Sequence, residues 1–117
     1  LMTELRHIVA LKLRQAGHKV YEDGGRGENW PLAEALQLIQ RADLAVELHT
    51  NASTNLRAAG VEVVSLPARR DEAQALALAI GGVLQIPVRR DEGWYSAEQL
   101  QRDRGFMPAF CRHGGLI

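Results

Sequence analysis

The sequence of 117 residues contains a single cysteine and no excess of charge of either sign. With no second cysteine, Cys111 cannot form an intramolecular disulfide, and nothing indicates an oxidatively stabilised scaffold. Its 14 Lys and Arg residues balance 14 Asp and Glu residues, which argues against a general basic nucleic-acid binder. The 11 Gly and 4 Pro are too few for a low-complexity chain. We therefore expect a globular protein in which Cys111 is a small half-buried thiol rather than a nucleophile.

Long hydrophobic runs are also missing. The most apolar stretch, 73–88, is interrupted by polar residues, by Gly81 and Gly82, and by Pro87, and it is shorter than the ~20 residues that a membrane span needs. Glu4 and Arg6 lie where a signal peptide would have its apolar segment. We expect neither a membrane span nor a signal peptide in this sequence.

Helical signals recur along the chain. Apolar residues every three or four positions over 1–16 predict an amphipathic helix that Gly17 ends. Pro31 suits the first turn of a second helix. Pro67 precedes a third, and Ser96 with Gln99 fits a capping box at the start of a fourth. We predict helices over 1–16, 31–42, 68–84 and 97–102.

Strand signals alternate with the helices. Short β-rich or apolar segments predict strands at 18–23, 44–49 and 61–66, and 114–117 resembles the start of another. Helices that alternate with strands predict a three-layer α/β domain with a largely parallel sheet flanked by helices. No repeat or linker divides the chain, so we predict one domain over 1–117. Both ends fall inside secondary structure, and we expect the first strand and the end of the last strand to be missing.

The strongest candidate site lies at the end of the strand predicted at 44–49. Glu47 and His49 project to the same face, and open α/β sheets bind ligands at the carboxyl ends of their strands. A small polar loop, 50–53, follows directly. A neutral imidazole is a common zinc ligand, so His49 is a candidate metal ligand. The alternative is a strand-end histidine that hydrogen-bonds Glu47 or the loop backbone.

Other candidates are weaker. Glu4 and His7 share a helix face at a spacing used by metal ligands, but a single pair indicates a solvated helix flank. His113 precedes two glycines and could face the same sheet edge as His49. The segment 25–30 begins like a dinucleotide-binding loop, but Trp30 occupies the third glycine position, so that motif fails. A nucleotide-binding domain is therefore disfavoured.

Two motifs resemble a known family. Residues 42–52, ADLAVELHTNA, resemble the strand segment A-D-L-x-V-S-I-H-A-N-A of the zinc-dependent N-acetylmuramoyl-L-alanine amidases of type 3. Residues 60–63, GVEV, resemble the strand that follows it in that family. The loop at 27–32 is similar to versions found in phage and prophage lysins. The resemblance covers essentially the whole chain.

The resemblance implies a peptidoglycan hydrolase that cleaves the amide bond between N-acetylmuramic acid and L-alanine with water activated by Zn²⁺. Of the three zinc ligands of the family, His49 matches one; the sequence has no G-H-G turn and no matching Glu at the helix start. The general-base Glu of the family is expected just after Ile117. As it stands, the chain is therefore expected to be inactive alone. The candidates for residues that orient a zinc ligand without binding the metal themselves are Glu47, Asn51 and His113.

The implied partner is peptidoglycan in the bacterial cell wall, with no nucleic acid, no membrane and an undetermined oligomeric state. A second hypothesis is a non-catalytic α/β module that binds a small anionic ligand or cell-wall fragment through Arg89, Arg90 and the loop containing Asn29. Arg69–Arg70 and Arg89–Arg90 are each followed by two acidic residues, which indicates internally balanced loops, although an arginine there could meet an acidic substrate.

Overall fold

A computed structural model describes residues 1–51, 53–55 and 57–117, which form two compact units, Leu1–Asp43 and Leu44–Ile117. The first unit contains helices α1 (Met2–Gln15) and α2 (Leu32–Ile39). The second contains β1 (Val63–Ser65), a 3-10 turn (Pro67–Arg69), α3 (Arg70–Leu84), β2 (Trp94–Ser96), α4 (Ala97–Arg104) and α5 (Ala109–Arg112). No described helix has the length and apolar character needed to cross a membrane.

Helix α1 confirms the prediction for 1–16. Gly17 follows it with φ 93°, a left-handed conformation that suits glycine. The apolar stripe forms on the helix but stays largely uncovered, since Leu5 is 40% and Ile8 56% exposed, while Ala10 is buried. Periodicity identifies the apolar face of a helix without specifying what covers it.

The strand predicted at 18–23 is wrong. Within the described part of the chain this segment has no strand assignment, and side chains of the first unit hold it instead. Arg14 donates to the Val20 carbonyl at 2.9 Å and to the Glu22 carboxylate at 2.7 Å. The Val20 carbonyl therefore bonds a guanidinium rather than a neighbouring strand, which the β-propensity of Val20 and Tyr21 could not reveal.

Arg6 fixes the loop that joins this segment to α2. Its guanidinium donates to Asn29 Oδ1 at 2.7 Å and to the carbonyls of Gly25 and Glu28 at 2.9 and 2.7 Å. Helix α2 then begins after Pro31, as predicted, but it ends at Ile39, three residues before the predicted end at 42. The difference at the C-terminus is a frayed turn rather than a new element.

The sheet of the second unit is small and parallel. Strand β1 pairs with β2 in parallel, with Val63 opposite Trp94, and an isolated parallel bridge joins Val46 to Leu116. Ile117 exchanges two backbone hydrogen bonds with Val64, at 2.7 and 3.0 Å, so the C-terminal residues lie beside β1. The fold is therefore mixed α/β with a small parallel sheet flanked by helices, as predicted. The strand predicted at 44–49 is reduced to the bridge at Val46.

Helix α3 packs on this sheet through small residues. Ala73 and Ala77 are fully buried and cluster with Val63 and Leu116 in the core. A Cβ on Gly93, which has φ 88°, would overlap the Cβ of Ala77. Close approach of helix and sheet thus requires a glycine at this position.

Two elements in the second half were not predicted. Strand β2 was missed although Trp94 and Tyr95 are β-prone aromatics that follow a glycine, and this pattern could have identified it. Helix α5 has four residues, too few for a periodic signal. Helix α4 confirms its prediction and continues to Arg104; Ser96 Oγ accepts from the Gln99 backbone N–H at 3.4 Å, whereas the Gln99 side chain bonds Asp103 instead of completing the capping box.

Candidate functional site

The principal candidate, His49, lies just beyond a sheet bridge. The Leu116 N–H donates to the Ala45 carbonyl at 2.9 Å, and the Glu47 N–H donates to the Leu116 carbonyl at 2.8 Å. The extended segment leaves this bridge toward His49, which is exposed to solvent. Asn51 is exposed as well, whereas Ala52 of the predicted polar loop lies outside the described residues. The structure therefore presents the His49 imidazole on an accessible surface at the end of a paired segment.

Glu47 is half-buried and lies on the same segment. Burial raises the pKa of the Cys111 thiol, and the negative charge of Glu47 adds to that effect. Sequence alternation predicts Glu47 and His49 on one face, and the supporting role of Glu47 toward a ligand stays a prediction.

Cys111 behaves as a structural thiol. It is completely buried, and its Sγ donates to the Val64 carbonyl at 3.4 Å. Burial, with the Glu47 charge adding to it, raises the pKa of the Cys111 thiol to about 11. Since the thiolate is the nucleophile and the metal ligand, the thiol is unreactive near neutral pH. This agrees with the expectation that Cys111 is not a nucleophile, but the thiol is completely buried rather than half-buried.

His113 is exposed and follows α5. Because the segments that contain Val46 and Leu116 run parallel, the chain reaches Leu116 from the side opposite to the one on which His49 leaves the bridge. The pairing therefore does not bring His113 and His49 together at one end of it. A supporting role for His113 stays a prediction.

The described donor side chains do not assemble into a metal site. Among residues 1–51, 53–55 and 57–117, no group of three or more His, Cys, Asp or Glu side chains could hold a metal ion. Glu4 lies 3.7 Å from Arg26, and His7 lies 3.3 Å from Glu22, so the helical pair is engaged elsewhere. The donors described here do not fit a zinc ion by themselves.

The arginine clusters are balanced mostly by partners other than their sequence neighbours, and the exception is Arg69, which contacts Glu72 at 3.0 Å. Arg89 and Arg90 both contact Glu62, at 3.7 and 2.9 Å. Arg70 pairs with Asp91 at 2.7 Å. The prediction that acidic residues balance these arginines is confirmed, and most of the ion pairs join residues that are distant in sequence.

No family model matches the chain, and no curated protein matches it. Its mixed α/β fold is shared by a crystal structure described as that of a proposed N-acetylmuramoyl-L-alanine amidase from Neisseria meningitidis, with a TM-score of 0.82. That protein is 34% identical over 98% of this chain, and this chain spans 62% of its length.

Proposed function

We propose that this chain is part of a peptidoglycan hydrolase that cleaves the amide bond between N-acetylmuramic acid and L-alanine. The observation that carries the proposal is the 34% identity over 98% of the chain, together with the TM-score of 0.82, to a protein named for that activity. The motif at 42–52, which contains His49, supports the same activity. The proposed site of action is the bacterial cell wall, and the loop at 27–32 supports a phage or prophage lysin in particular.

The reaction is an amide hydrolysis. Water adds to the carbonyl carbon, the carbon–nitrogen bond breaks, and the L-alanine nitrogen leaves with a proton, which yields a lactyl carboxylate and a free amino group. Such a reaction requires water to be deprotonated and the developing oxyanion to be stabilised. An accessible imidazole at the edge of a sheet suits a polymeric substrate, and His49 is the residue of this chain that we assign to the reacting site.

Zinc is a separate part of the proposal. Histidine is a common zinc ligand, and His49 is the ligand that we assign to this chain. The described residues supply no complete set of ligands, so a zinc site would need donors besides them, and no step of the reaction is derived through the metal.

His49→Ala tests the proposal in the protein that carries this chain, incubated with purified peptidoglycan. We expect the release of new L-alanine amino termini to fall at least about 10-fold, because loss of a ligand costs no less than loss of a residue that supports one. His18→Ala is the matched control, since His18 is also exposed and has no assigned role. Full activity of His49→Ala, or release of reducing ends in place of amino termini, would contradict the proposal.

Elemental analysis of the same two proteins tests the zinc assignment independently. About one zinc per chain in the parent and in His18→Ala, with strong loss in His49→Ala, is the expected result. A parent that hydrolyses the amide without zinc would overturn the metal assignment and leave the hydrolase proposal standing.

The structure does not favour the hypothesis of a binding module built on Arg89, Arg90 and Asn29. Both arginines contact Glu62, and Asn29 accepts a hydrogen bond from Arg6. No observation gathers the three residues around a ligand, and we do not propose that function.

A further inference from the structure

A shallow depression of about 450 Å³ opens where β1 and β2 end. Pro67, just after β1, and Ser96, the last residue of β2, both line it, and side chains of α4 form one wall. Open parallel sheets bind ligands at the carboxyl ends of their strands, and this depression occupies that position between two parallel strands. None of the residues assigned to the proposed reaction lines it.

Arg90 forms a fixed cationic rim. Its guanidinium carbon lies 3.5 Å from the centre of the Tyr95 ring, and its Nε donates to Glu62 at 2.9 Å. The backbone of Arg90 has φ 56°, a left-handed conformation that is uncommon outside glycine. Stacking and ion pairing hold the guanidinium in place, while no described residue accepts from its two terminal nitrogens.

Helix α4 contributes one charge of each sign. Glu98 and Arg102 are four residues apart, so they lie on one face of the helix, and both line the depression. Arg102 donates to Gln99 at 2.7 Å, and no ion pair within 4.0 Å joins it to Glu98 among the described residues. Asp91, the other acid of the lining, is paired with Arg70 at 2.7 Å. Glu98 is thus left as the acid available to a ligand.

We propose that this depression binds a short peptide that carries both a free carboxylate and a free amino group. The carboxylate lies between Arg102 and the terminal nitrogens of Arg90, and the ammonium group meets Glu98 one helical turn away. Guanidinium groups are suited to carboxylates, and opposite charges on one helix face match a ligand that separates its own charges similarly. The assignment to the stem peptide of peptidoglycan rests on the proposed function.

Trp94 lines the depression and provides a readout. The chain has two tryptophans, so Trp30→Phe leaves Trp94 as the single indole. The probe is the synthetic peptide N-acetyl-Ala-γ-Glu-Lys, compared with its carboxyl methyl esters and with its Nε-acetylated form. We expect saturable change of Trp94 fluorescence with the free peptide and about fivefold weaker binding of each blocked form.

Variants assign the two charges. Arg102→Gln should weaken binding of the free peptide about fivefold and make binding insensitive to esterification of the peptide. Glu98→Gln should weaken binding of the free peptide by a similar factor and make binding insensitive to acetylation of the peptide. Arg104→Gln, on the same helix but outside the lining, is the matched control and should bind like the parent. Equal binding of blocked and free peptides, equal loss in the control, or no binding by the parent would overturn the proposal.

The outcome is distinct from that of the hydrolase test because binding is measured without turnover. Charge-dependent binding with no amide hydrolysis would retain the site and reject the proposed function. Hydrolysis that depends on His49, with no effect of the α4 variants on peptide binding, would retain the proposed function and reject the peptide site. If Glu98 and Arg102 serve only to pair with each other in solution, both variants lose a little stability and neither changes binding, which also overturns the proposal.

Discussion

The Glu22 carboxylate contacts three basic side chains of the first unit, those of Arg6, His7 and Arg14. It is 13% exposed, accepts from Arg14 at 2.7 Å and lies 3.3 Å from His7 Nδ1. Burial opposes ionisation, but the hydrogen bonds and charges of Arg14 and His7 outweigh it and hold the pKa of Glu22 below its ordinary value of 4.5. The ionised form therefore stabilises the folded unit.

Glu22→Gln should reduce the acid sensitivity of this unit. A carboxylate with a lowered folded pKa adds stability above its unfolded pKa, and that stability is lost as the pH falls through the folded value. We expect urea midpoints that decline less from about pH 7 to about pH 3 in Glu22→Gln than in the parent. Glu34→Gln, on the exposed surface of α2, serves as the control. Parallel curves for parent and Glu22→Gln would show that the network does not act in this way.

A second residue-scale prediction concerns Tyr95. Its hydroxyl donates to Asp103 at 2.9 Å, and this bond, with that from Gln99, holds the pKa of Asp103 below its ordinary value. Tyr95→Phe should raise the Asp103 pKa toward 3.8, measured from the carboxyl carbon shift in an NMR titration. Tyr21→Phe should leave it unchanged. An unaltered Asp103 pKa in Tyr95→Phe would assign the lowering to the Gln99 hydrogen bond and the neighbouring guanidinium groups instead.

At the scale of elements, the packing of α3 on the sheet depends on the absence of a side chain at Gly93. Gly93→Ala places a Cβ against Ala77 at a left-handed φ, and we expect a loss of about 2–4 kcal/mol in the free energy of unfolding. Gly82→Ala is the control: it lies within α3 with no atom near its added Cβ, and should gain about 0.5–1 kcal/mol. Equal effects of both changes in a urea titration would contradict this packing.

The elements also show where periodicity is reliable. Helices α1, α3 and α4 were predicted because a 3.6-residue repeat or a capping serine is visible in residues that are close together in the sequence. The strand at 18–23 was predicted and is absent, and β2 was not predicted and is present. A strand forms only if a partner strand lies alongside. Val63 pairs with Trp94, which is 31 positions further along the chain, whereas the Val20 carbonyl accepts a hydrogen bond from Arg14.

At the scale of the whole molecule, contacts distant in sequence organise the second unit. Leu116 is completely buried, bridges to Val46 and packs against Val63 in the core. Leu116→Ala should lower the free energy of unfolding by about 2–5 kcal/mol, because it leaves a cavity that the surrounding side chains fill poorly. Leu84→Ala, at a position 61% exposed, is the control and should change it by less than about 1 kcal/mol. Similar urea midpoints for both variants would place Leu116 outside the core.

The candidate site divides in the same way. The motif at 42–52 and its His49 were identified from adjacent residues, as were the structural character of Cys111 and the balance of the arginine clusters. The partners were not: Glu62 for two arginines, Val64 for the Cys111 thiol, and the depression at the ends of β1 and β2 join positions far apart in the chain. Local patterns encode turns, caps and periodic faces because their physics acts over a few residues. Pairing, burial and the gathering of charges arise only when distant segments meet.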